Sequence, residues 1–170
     1  MTAPDSTINA TSLYQPENYT PGSLEDEIRI DGLCRELLQH FLKYLREERQ
    51  QEPLLAGSNA SGADYFLRDY LVDHCRANIF KIQADHVRGF AGNWYIVSTL
   101  EANMEELAGL LDGIREFYTF SAARGLVSEK KAAEIAAACG EREYYAARID
   151  SFHELKDNEY LTWNRDCPNR

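Results

Sequence analysis

Seven apolar side chains between Met104 and Phe120 recur at spacings of three and four: Met104, Leu107, Leu110, Leu111, Ile114, Phe117 and Phe120. That period places them on one stripe of an α-helix, and such a stripe must be covered by other elements. Asn103 is positioned to cap the helix, Glu105 and Glu106 suit its positive end, and Gly125 supplies a stop. A second stripe, Ile30, Leu33, Cys34, Leu37, Leu38, Phe41 and Leu45, follows a Ser23-Leu-Glu-Asp start in which Ser23 can cap and the acids favour the first turn. Two stripes of this kind commit the chain to packing helix on helix.

The remaining segments fill in around them. Pro53 and the Ala56-Gly-Ser-Asn-Ala-Ser-Gly run predict a loop. A helix is expected from near Ser61 to about Ala77, followed by a helix of about three turns over Gln83 to Asn93, where Gly89 and Gly92 each lower the propensity by roughly 1 kcal/mol. Trp94 to Val97 is aromatic and β-branched, but no second strand signal exists to pair it, so it reads as a buried helix end or loop. Ser128 caps a further helix, Glu129 to about Phe152, which Gly140 bends or breaks. The expectation is an all-α, compact bundle of about five main helices. Residues 1–22 form a flexible N-terminal tail in which Tyr14 and Tyr19 are able to dock, residues 23–165 form a single helical domain, and residues 166–170 form a frayed C-terminus.

At 170 residues and 44% hydrophobic, the chain has enough apolar surface for one self-sufficient core. No run approaches the roughly 18 apolar residues needed to span a bilayer, and the first residues lack the features of a signal peptide. A cytoplasmic location is expected. Cys34, Cys75, Cys139 and Cys167 are scattered, with no Cys-x-x-Cys pair, so they read as small buried hydrophobes. The net charge of −10 is spread along the chain and repels phosphate backbones and anionic lipid.

Four segments carry a resemblance: Phe41-Leu-Lys-Tyr-Leu, Gln83-Ala-Asp-His-Val-Arg-Gly-Phe, Leu107 to Phe120 with its Ile114-Arg-Glu-Phe-Tyr-Thr-Phe ending, and Arg124-Gly-Leu-Val. In this order they resemble the helical core-binding domain of tyrosine recombinases, over roughly residues 37–137. The resemblance implies a helical domain able to associate with nucleic acid, with Arg115, Arg124, Lys130 and Lys131 around one helix junction as the contacts. It implies no strand cleavage, because there is no room for the family's catalytic domain. The chain also departs from the family in being acidic.

Chemistry-bearing motifs are few. His74 and Cys75 are adjacent, so on a helix they point about 100° apart and cannot both face one metal unaided. They converge with His86 only if the tertiary structure brings it there. A dispersed enzyme site would need at least two of His40, His74, His86 and His153 in one pocket with Cys or Asp. The paired Glu-x-x-His helices of di-iron bundles, and phosphate-cradling glycine loops, are absent. No catalytic residue, metal site or cofactor is assigned. The aromatics offer more: tyrosines can form a partner surface, and Tyr118, Tyr144 and Tyr145 are the candidates, since two consecutive tyrosines on a helix cannot both point inward.

The expected function is a non-catalytic protein–protein interaction module, with a protein partner or self-association and no membrane. A nucleic-acid-associated accessory protein is the alternative. An enzyme with a dispersed His, Cys and carboxylate site is the second alternative.

Overall fold

The computed structural model describes residues 10–168, whose regular elements are all helices, with no strand among them. α1 (Ala10–Leu13) and a 3-10 turn (Pro16–Tyr19) lead into α2 (Leu24–Glu47). The Ser23 hydroxyl accepts the Asp26 N–H at 3.1 Å, and every member of the expected stripe from Ile30 to Leu45 is buried. The tail reading needs correcting beyond residues 1–9, which lie outside the described residues. Leu13 and Tyr19 are fully buried, and Asn78 donates to the Pro16 carbonyl at 2.7 Å, so this segment is strapped to the body. Tyr14 meets His40 through a 2.8 Å hydrogen bond.

The segment expected to be a loop is instead α3 (Pro53–Asp64), opened by a proline that has no N–H to leave unsatisfied. Its small residues are there because α3 crosses α6 (Met104–Ala123) with the two backbones nearly in contact. A Cβ on Gly62 would lie 3.1 Å from the Leu110 Cα, and one on Gly113 would overlap the Asn59 carbonyl oxygen. Gly, Ala, Ser and Asn are turn formers by local preference, but here they are what a close crossing admits.

From α3 the chain continues without a break into a π-helical segment, Tyr65–His74. Its wider turn is marked by the Cys75 N–H donating to the Tyr70 carbonyl at 2.8 Å, five residues back. α4 (Ala84–Gly89) likewise continues through a second π segment, Phe90–Trp94, into α5 (Tyr95–Ser98). The expected Gln83–Asn93 helix thus extends further, and the Trp94–Val97 run is helical. The two π segments face each other through rings. Phe90 meets Phe66 edge-on at 5.1 Å and Tyr70 at 5.4 Å, and Tyr70 meets Trp94 at 5.5 Å.

α6 behaves as expected. The Asn103 side chain accepts the Glu106 N–H at 2.9 Å, and Leu107, Leu111, Ile114, Phe117 and Phe120 are fully buried. Its end is a Schellman turn, with the Leu126 N–H on the Ser121 carbonyl at 2.8 Å and Gly125 at φ 72°. Gly140 breaks the next helix into α7 (Glu129–Cys139) and α8 (Arg142–His153). α9 (Tyr160–Arg165) returns to the body. Arg148, itself buried, donates to the Gly92 carbonyl at 2.8 Å and the Trp163 carbonyl at 2.9 Å, with its guanidinium 3.8 Å from the Trp163 ring centre. The expected fraying at residue 166 does not begin there: Cys167 is buried, with its thiol directed at the Arg88 carbonyl. The chain therefore divides into more elements than the five expected, around one core. No helix of the described residues is long and apolar enough to cross a membrane.

Candidate interaction surface

Two of the three candidate partner tyrosines point into the core. Tyr118 is fully buried and donates to the Ile79 carbonyl at 2.7 Å. Tyr145 is fully buried and donates to the Ala138 carbonyl at 2.6 Å. In both, burial raises the phenol well above its ordinary range. Such rings fill space inside the fold and are not available to a partner. Tyr144 takes the other direction, as consecutive helix positions require, and is half-buried beneath the C-terminal segment beside Cys167.

The four candidate cations do not make an open basic face. Arg124 is bonded to Glu48 at 2.6 Å and lies over the Tyr44 and Phe120 rings. Lys131 donates to the Gln83 amide at 2.7 Å and lies 3.4 Å from Glu134. Arg115 is 3.4 Å from Asp112 and sits nine residues before Arg124, about 13 Å along α6. Lys130 is exposed.

The histidines are held by separate partners. His40 is bonded to Tyr14, His74 is exposed and stacks on Tyr70, and His86 accepts the Gln83 N–H at 3.0 Å. His153 ends α8 beside the Phe152 ring. Among the described residues, no three His, Cys, Asp or Glu side chains are grouped so as to hold a metal ion. Burial pushes the Cys34 and Cys139 thiols up to about 12 and raises that of Cys75. Each therefore carries less thiolate than a free cysteine, the opposite of what a nucleophile needs.

The surface that stands out lies elsewhere. Leu24 and Ile28, one turn apart on α2, are 71% and 68% exposed. Together with Val72, Arg68 and Asp73 of the first π segment, and Glu27 and Asp31 of α2, they enclose a groove of about 240 Å³. Its guanidinium groups are engaged. Arg68 bridges Asp31 at 2.7 Å and Asp64 at 3.0 Å, and Arg76 holds Glu27 at 2.6 Å. Asp69 and Asp73 are exposed, and neither has a cation within ion-pair distance among the described residues. Partial desolvation of its carboxylate, together with the neighbouring carboxylates of Asp64 and Asp73, raises Asp69 above the ordinary range against the opposing pull of Arg68.

The chain matches no protein-family model, no curated protein and no solved structure.

The apolar edge of the groove carries a signal in the sequence. Ile28 lies two residues before Ile30, hence about 200° round the helix and on the side opposite the buried stripe. A second apolar strip facing away from the first is a signal for a second contact. Glu25, Asp26 and Glu27 mask that signal, because acids suit the first turn of any helix.

Proposed function

We propose that the protein is a non-catalytic interaction module and that the groove at the start of α2 is its contact face. The observation that carries this reading is the pair of Leu24 and Ile28 side chains, largely exposed on adjacent turns at the mouth of a cleft with Val72 buried beside them. Single exposed leucines are ordinary on protein surfaces, whereas apolar side chains lined up along a cleft form a continuous surface whose burial is favourable. The raised thiols and dispersed histidines give an enzymatic reading less support. Carboxylate or amide partners on Arg115, Arg124 and Lys131 do the same for a nucleic-acid reading, although that reading also draws on the recombinase resemblance.

Site-specific photocrosslinking tests the proposal. A photoreactive residue at position 28, in the full chain expressed in its native cells, is expected to give discrete protein adducts. The same residue in place of Leu54, which is 90% exposed but lies outside the groove, is expected to give none. Equal or absent labelling at the two positions would remove the groove from consideration.

A further inference from the structure

We infer that the partner segment is an amphipathic helix with a basic face, an inference that rests on the contact-face reading above. The argument begins with size. Small-molecule pockets enclose about 300–1,000 Å³, and this groove is smaller and open, suited to one or two inserted side chains. Leu24 and Ile28 extend the apolar surface along α2 by one helical turn. This line matches apolar anchors at i and i+4 of a helix laid against it.

Charge selects the class of helix. The carboxylates of Glu27, Asp31 and Asp73 line the groove beside the apolar strip, Glu25 is exposed on the same helix start, and Asp69 is exposed four residues before Asp73. Arg68 is shared between two carboxylates and Arg76 is committed to Glu27, so neither is left to receive an acidic partner. Asp69 and Asp73 lie four residues apart in one helical segment with no cation between them. Like charges so close repel, Arg68 offsets this only in part while it bridges Asp31 and Asp64, and a lysine or arginine from outside would relieve it further. The net charge of −10 steers basic segments toward the molecule and acidic ones away. It also argues against a second copy of the chain as occupant, since a two-fold contact through this groove would set the same carboxylates against one another.

The test uses the full chain and three synthetic peptides of equal length. The first is an amphipathic helix with leucines at three- and four-residue spacing and lysines elsewhere. The second has the same leucines with glutamates. The third is the Leu/Lys composition with its spacing scrambled. Binding is measured by calorimetry, and the contact is located by amide chemical shifts. The ordered Leu/Lys peptide is expected to bind most tightly, to shift Leu24, Ile28 and Val72, and to weaken with added salt. Asp69→Asn/Asp73→Asn should weaken it by about tenfold or more, while Glu101→Gln/Glu154→Gln, with equal charge loss elsewhere, should change it by less than about twofold. Circular dichroism of both variants checks that they remain folded. Equal losses in the two variants, or equal binding of the scrambled peptide, would reduce the effect to general attraction and overturn the inference. Tighter binding of the Leu/Glu peptide at the groove overturns the basic partner but leaves the contact face standing. No binding of any peptide also overturns the inference, and the contact face is then judged by crosslinking at position 28.

Discussion

Gln50, between α2 and α3, holds φ at 52°, a left-handed conformation that costs a side-chain-bearing residue about 1–2 kcal/mol and glycine almost nothing. The bond that requires it is the Gln51 N–H on the Leu45 carbonyl at 2.9 Å, which closes the end of α2. Gln50→Gly is therefore expected to raise the unfolding free energy by about 0.5–1 kcal/mol, part of the gain being offset by the greater freedom of glycine in the unfolded chain. The urea midpoint measures it, and an unchanged or lower midpoint would show that the glutamine side chain contributes in its own right. Nearby, Glu116 is buried with one carboxylate oxygen that has no hydrogen-bond partner, and Arg49 lies 3.7 Å away. It sits among the apolar residues of α6, and nothing in the spacing of that stripe marks it as an inward position. An i, i+3, i+4 pattern finds the centre of a buried face and not its edge.

The crossing of α3 and α6 is the most demanding junction between elements, and glycines one turn apart on the same helix separate its two roles. Gly113→Ala is expected to destabilise by about 1–3 kcal/mol or more, because its Cβ meets backbone that cannot step aside. At Gly109 a Cβ would meet nothing within 4 Å, so Gly109→Ala should stabilise by up to about 1 kcal/mol through helix propensity alone. Thermal melts of the two variants decide it, and shifts of the same sign would contradict the packing argument. Here too lies the boundary of what the sequence makes legible. The caps at Ser23, Asn103 and Ser128 are local chemistry, complete within four residues, and each reads correctly. α3 does not, because its helical state depends on Gly113, which lies 49 positions beyond Asp64. The π segments are equally hidden, since the rings that meet between them come together only in the folded chain. Tyr118 and Tyr145 illustrate the same limit. A tyrosine's single polar atom needs one acceptor, and only the folded chain reveals that a buried carbonyl supplies it.

Across the whole molecule the buried acids set the response to alkali. Cys34 and Cys139 move from an ordinary value of 9.0 to about 12, and burial also raises Tyr19, Tyr70, Tyr118 and Tyr145. Because these native values exceed the unfolded ones, the stability they contribute is complete below the unfolded values and declines as pH rises. The fold should therefore weaken progressively from about pH 9 upward, where the unfolded chain releases protons that the native one retains. Urea midpoints recorded from pH 8 to 11 check the sign. His86 acts at the other end: burial lowers it, so its contribution is lost as pH falls below its ordinary 6.5. A different kind of sensitivity follows from the π-helical stretch Tyr65–His74, which takes more residues per turn than an α-helix would. Losing a single codon there could restore ordinary winding and still leave a helix. The residues between the cut and the end of the segment would then point in new directions around the tighter axis. Asp73 would rotate off the rim of the groove, so this stretch should tolerate exchanges of letters far better than changes in their number.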